Sequence, residues 1–120
     1  NADAAIDATL TPADPDALAA FIATPPADEQ WLDADALVGP LHAAPREPAD
    51  RFSPLGAPGR QTVGDFLTNA KVSPASRASI TCLRDDLGII CVWPMRIDAR
   101  VRITPATRRY LKLRTRPAQP

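Results

Sequence analysis

The sequence predicts an α+β fold: a small mixed β-sheet domain with short helices, preceded by an acidic N-terminal helical segment. Three observations predict it. Short runs of alternating apolar and polar residues interleave irregularly with short apolar stripes of helical period. Fourteen prolines against five glycines keep the elements short, at roughly twice the usual proline share. Charge is also divided sharply along the chain. With 120 residues there is room for one core, and the 45% apolar content supports it, although much of that is alanine.

Residues 1–30 read as an acidic lead-in and residues 31–116 as the domain proper. Asn1 to Ala13 is expected to be loosely held, and a start at Asn1-Ala2 without methionine is what an excised piece with a cleavage scar shows. Asp14-Pro15-Asp16 supplies a cap, a proline at the first helical position and an acid in the first turn. Leu18, Phe21 and Ile22 then give that helix an apolar face before Thr24-Pro25-Pro26 ends it. Trp31 to Asp33 and Leu37 to Ala44 read as short strands, the second around a Gly39-Pro40 turn. Pro45 to Arg60 reads as a loop held by turn residues without a ladder.

Thr62 caps a helix running to Ala70, with Val63, Phe66, Leu67 and Ala70 as its apolar stripe. Ser73 or Ser76 starts a further short turn near Arg77. Ile80 to Arg84 and Ile89 to Trp93 flank Asp85-Asp86-Leu87-Gly88 as a hairpin. In that register Cys82 falls opposite Cys91, and apolar residues on both faces place the hairpin inside the sheet. Val101 to Thr104 reads as a strand and Thr104-Pro105 as one helical turn. Tyr110 to Arg114 alternates as the last strand, and the tail from Thr115 is expected to be loose.

Residues 1–50 hold ten acids and one base, and residues 51–120 hold thirteen bases and four acids, so the halves stand at −9 and +9. This split fits an acidic arm beside a basic module suited to a polyanion. It fits equally well two halves that neutralise each other in the fold.

Motifs for catalysis are missing. There is no phosphate-cradling glycine loop, and Gly56 to Arg60 is too short and carries a proline where amides are needed. His42 is the single histidine and has no nucleophile motif near it. Cys82 and Cys91 are too few for a thiolate metal site and read as core residues, so no catalytic and no metal-binding residues are assigned. No run is long and apolar enough for a membrane span, and a reducing cytoplasm is the expected setting. The remaining chemistry is arginine, whose planar fork suits phosphate. The bases Arg60, Lys71, Arg77, Arg96, Arg100, Arg108 and Arg109 are the candidate contacts to a polyanion.

One stretch is more specific. Asp50-Arg51-Phe52-Ser53-Pro54-Leu55-Gly56-Ala57-Pro58-Gly59-Arg60, then Val63, Asp65-Phe66-Leu67 and Lys71-Val72, resembles the C-terminal domain of bacterial tRNA(Ile)-lysidine synthetases. The similarity continues through Arg77, Ile89-Ile90, Arg96-Ile97-Asp98, Arg100 and Thr104 to Leu111, with Trp31 to Asp35 as a lead-in strand. Ala49 stands where that family has glycine, Ser73 is an extra residue before Pro74, and Cys91-Val92-Trp93-Pro94 replaces a W-V-P-G run.

The resemblance implies a parent ligase that uses ATP and lysine to convert a wobble cytidine to lysidine. ATP and magnesium would bind in a catalytic domain that has no counterpart in these residues, and this fragment would carry no cofactor and no such activity alone. The implied partners are tRNA (an isoleucine acceptor), gripped away from the anticodon at the acceptor stem, and the catalytic domain of the parent chain. The alternative is an interaction or dimerisation module, with a second copy as homodimer partner and no direct RNA contact. Within the motif, Arg51, Phe52, Pro54, Leu55, Gly56 and Gly59 are read as structural. Phe52 and Leu55 are expected to point inward, and Arg51 to be held by a carboxylate or carbonyl.

Overall fold

The computed structural model describes residues 6–116. Ile6–Pro12 forms a strand, β1, where a loose lead-in was expected. It pairs antiparallel along its whole length with β9 (Arg109–Thr115), from Ile6 opposite Thr115 to Pro12 opposite Arg109. Residues 1–5 and 117–120 of the expected lead-in and tail lie outside the described residues. Helix α1 (Pro15–Ala23) begins as its residues dictate, with the Asp14 carboxylate accepting from the amides of Asp16 and Ala17 at 3.1 and 3.2 Å. Its apolar face does not enter the core: none of its residues is buried and Ile22 is 65% exposed. Phe21 docks, stacking on Trp31 at 4.4 Å between ring centroids.

Strand β2 (Glu29–Asp33) pairs with the other edge of β9, which completes a three-stranded sheet in the order β1-β9-β2. A second sheet of four strands is built from β3 (His42–Pro45), β6 (Thr81–Asp85), β7 (Gly88–Trp93) and β8 (Arg96–Ile97), with β6 and β7 inside. A two-residue ladder joins β4 (Arg51–Phe52) to β5 (Gln61–Thr62) inside what reads in sequence as a plain loop. Helices α2 (Val63–Asn69) and α3 (Pro74–Arg77) lie between β5 and β6 in the chain. The α+β class is as expected. Every ladder among the described residues is antiparallel, so the mixed sheet resolves into antiparallel pieces.

Three local readings change. Residues 37–41 are not a strand, because Val38 is engaged by the turn below it: its amide donates to Asp85 and its carbonyl accepts from Asp86. Val101 ends a 3₁₀ turn, Ala99–Val101, capped by Asp98, so the expected 101–104 strand is absent. Thr104-Pro105 makes a turn and no helix, with the Thr107 hydroxyl accepting from the Thr104 amide at 2.9 Å.

The β6-β7 hairpin carries both cores. Arg84 lies opposite Ile89 and Asp85 opposite Gly88, as the turn residues dictate. A bulge then inserts Ile90, so Leu83 meets Cys91 and Cys82 meets Val92. The consequence is visible in the packing. Ile90, Cys91 and Leu83 join Leu32, Leu111 and Leu113 in a cluster that binds the two sheets together. Cys82, Ile89 and Val92 join Phe52, Val63, Phe66 and Leu67 in a second cluster under α2. The two cysteines therefore sit in different cores, and both are free thiols.

Candidate nucleic-acid interface

The β4-β5 ladder sets the direction of the motif's side chains. Phe52 opposes Gln61 and Arg51 opposes Thr62, so residues alternate across the ribbon. Phe52 goes down, 2% exposed, and meets Phe66 edge-to-face at 5.1 Å. Arg51 and Ser53 consequently point the other way, and one step beyond the ladder Arg60 joins them on that side. Pro54 is buried and bridges to Asp98, while the amide of Leu55 donates to the Ile97 carbonyl at 3.1 Å. Gly56 and Gly59 take φ of +87° and +79°, a conformation that favours glycine. The turn is thus fixed through backbone contacts, and the Leu55 side chain, expected inside, is 37% exposed. Arg51 is also not held as expected: it is exposed and its side chain makes no hydrogen bond or ion pair among the described residues.

Arg51 and Arg60 line a cleft of about 470 Å³ together with Ser53, Arg84, Leu87 and Arg100. Asp50 and Asp98 also line it, and both accept hydrogen bonds. Asp50 accepts from Arg84 at 2.5 Å and from the Glu47 amide at 2.7 Å. Asp98 accepts from the amides of Ser53 and Arg100 at 2.7 and 2.9 Å. Arg100 spends its guanidinium on buried Asp85, at 2.6 and 3.1 Å. Burial alone would raise the Asp85 pKa, but hydrogen bonds from Arg100 and the amides of Val38 and Leu87, with the Arg100 charge, hold it at about 2. Among the described residues the cleft therefore contains two arginines paired with carboxylates and two, Arg51 and Arg60, that pair with none.

The remaining candidates are spread over the surface. Lys71 is exposed at the end of α2 with φ of +61°. Arg77 ties α3 back to α2, donating to the Val72 carbonyl and the Thr68 hydroxyl at 3.1 Å each. Arg96 donates to the Leu55 carbonyl at 2.9 Å and lies 5.5 Å from the Phe66 ring centroid. Arg108 is exposed, while its neighbour Arg109 pairs with Asp35 at 2.7 Å.

The reading in which the two halves neutralise each other holds in part. Asp7–Arg116, Asp35–Arg109 and Asp50–Arg84 pair an acid of the first fifty residues with a base of the rest. The acidic strands β1 and β2 flank basic β9, with Asp7 and Glu29 both opposite Arg114. Lys112 rests over the Trp31 ring at 4.1 Å. Arg109 and Lys112 of β9 are thus engaged by the acidic half, whereas Arg51 and Arg60 on the ribbon are not. Among the described residues no group of three or more metal-ligating side chains comes together, and no helix is long and apolar enough to cross a membrane. His42 lies exposed on the edge strand β3.

Sequence reasoning placed Arg51 among the structural residues and did not single out Ser53 or Leu87. The signal was there in the Arg-Phe-Ser alternation, but it needed the β4-β5 register to be read.

The architecture and site define a small α+β domain with a cationic cleft and no assembled catalytic centre among the described residues. No family model matches the chain. A tRNA(Ile)-lysidine synthase of Symbiobacterium thermophilum is 35% identical over 91 residues, which span 76% of this chain and 19% of that protein. A crystal structure of the TILS C-terminal domain has the same fold, with a TM-score of 0.67 and 19% identity over 91% of this chain and 80% of that one. In sequence and fold, then, the chain is related to the C-terminal domain of tRNA(Ile)-lysidine synthases, and it spans about a fifth of the length of the relative it matches.

Proposed function

We propose that this chain is a tRNA-contacting accessory domain of an ATP-dependent tRNA(Ile)-lysidine synthase, gripping tRNA away from the anticodon at the acceptor stem. The observation that carries the reading is the pair Arg51 and Arg60, directed to one side of a short ribbon, lining one cleft and lacking any carboxylate among the described residues. Unpaired arginines on a concave surface are suited to the sugar-phosphate shape of duplex RNA, which is read mainly through phosphates and 2′-hydroxyls. Exposed Lys71, Arg96 and Arg108 extend the cationic surface, and Arg77 and Arg100 act from behind by holding its backbone. Lysidine formation, and the ATP and magnesium it uses, belong to the catalytic part of the parent, whose setting is the cytoplasm.

Hydroxyl-radical footprinting of an isoleucine tRNA with the chain bound tests this. Protection along the acceptor stem, with the anticodon loop left open to cleavage, is the expected result. Protection centred on the anticodon loop, or none at saturating protein, contradicts it.

A further inference from the structure

We infer that the Arg51–Arg60 cleft is a binding site for a phosphate monoester on a terminal nucleotide, not merely a stretch of basic surface. This deepens the RNA-contact reading and rests on it only for the source of the ligand, an RNA 5′ end as against a free nucleoside monophosphate.

Three features of the cleft point to that chemistry. The first is charge stoichiometry. Arg84 is neutralised by Asp50 and Arg100 by Asp85, at 2.5 and 2.6 Å, which leaves Arg51 and Arg60 as the unpaired cations of the lining beside one carboxylate, Asp98, whose oxygens accept from the amides of Ser53 and Arg100. A monoester dianion matches two unpaired arginines where a backbone diester matches one. The second is shape. A phosphate diester chain is bound along an open surface, whereas a cleft of about 470 Å³ falls in the range that encloses a small ligand and has room for one nucleotide. The third is an apolar residue in the lining. Leu87, 67% exposed at the hairpin turn, lines the same cleft as the arginines. Ser53 stands on the same side of the ribbon as Arg51, with a hydroxyl able to donate to phosphate. Arg51, Arg60 and Ser53 thus fit the phosphate, and Leu87 fits the face of a sugar or base.

The test uses the 120-residue chain and one RNA acceptor-stem hairpin prepared with a 5′-phosphate or a 5′-hydroxyl, with AMP and adenosine as separate probes. The phosphorylated hairpin is expected to bind about tenfold more tightly at neutral pH, the worth of one or two charge-assisted hydrogen bonds. That ratio should fall toward one as pH drops below about 6, where the monoester dianion takes up one proton and becomes a monoanion. It should also fall toward one in the Arg51→Ala/Arg60→Ala variant. It should persist in Arg114→Ala, which alters β9 outside the cleft. AMP, and not adenosine, should shift amide resonances between Arg51 and Arg60.

Equal binding of the two hairpins together with no AMP shift overturns the inference, even if RNA binds, in which case the broader RNA reading survives. An AMP shift with equal hairpin binding supports the site and makes a free nucleotide its ligand. An AMP shift with no RNA binding supports the site and ends the RNA reading. Unchanged melting of the double variant excludes misfolding as the cause.

Discussion

Asp85 and Arg100 form a two-pronged ion pair across the β6-β7 turn, with Nη2 to Oδ1 at 2.6 Å and Nη1 to Oδ2 at 3.1 Å. The same carboxylate accepts from the amides of Val38 and Leu87, so one buried group fixes the hairpin turn, the Ala99–Val101 turn and residue 38 together. Its pKa of about 2 lies below the ordinary 3.8, which makes the ionised form the one that stabilises the fold. That stability is fully present above about pH 4 and is lost as pH falls through about 2, an effect of roughly 2 kcal/mol. Urea titrations from neutral pH downward should show the loss. Asp85→Asn should cost roughly 2–3 kcal/mol at neutral pH and flatten the acid dependence, since Arg100 is left partly buried without its partner. An Asp85→Asn chain with unchanged stability and unchanged acid dependence would refute this role.

The bulge at Ile90 separates the cysteines. Opposed in register they would be within bridging reach, but the inserted residue turns Cys82 toward the helix core and Cys91 toward the sheet interface. Burial raises both thiol pKa values, and at Cys82 the Asp50 carboxylate adds to it. Folded protein treated with iodoacetamide at mildly alkaline pH should stay unlabelled until denaturant is added. Oxidation should yield no intramolecular disulfide, and a disulfide found in native protein would mean that the register is wrong.

Lys71 closes α2 in the left-handed conformation, where glycine is usual. Its amide donates to the Thr68 carbonyl and that of Val72 to the Leu67 carbonyl, both at 3.0 Å, while Val72 packs on the core. Lys71→Gly should therefore stabilise the chain by about 0.5–1 kcal/mol, raising Tm by a few degrees, and Lys71→Ala should not. A glycine variant less stable than the alanine variant would show that no strain is stored there.

Local chemistry was readable where one residue decides the outcome. Asp14 and Thr62 cap their helices, the β6-β7 turn sits where its Asp-Asp-Leu-Gly run puts it, and Tyr110 to Arg114 is a strand. What the sequence hid depends on partners far along the chain. β1 is an edge strand of polar and small residues whose reason to exist is β9, a hundred residues on. The 101–104 stretch alternates like a strand, yet Asp98 bonds the Arg100 amide and curls it into a turn. Extra residues such as Ile90 carry no signature of their own, because a bulge is a relation between two strands. The same holds for the cleft: Arg51 read as an anchored structural residue until the ladder to Thr62 set its direction. The motif that resembles lysidine synthetases was the most specific signal in the chain, and the comparisons agree with it.

The central claim is that the cations left free by the acidic half hold tRNA. Fluorescence anisotropy of a labelled isoleucine tRNA, titrated with the chain across a salt series, tests it most directly. The account predicts binding at low salt whose logarithm falls linearly with the logarithm of salt concentration. It also predicts a slope shallower by roughly one to two in Arg51→Ala/Arg60→Ala, as two phosphate contacts are lost. No binding at low salt, or a slope that the double substitution leaves unchanged, would contradict it.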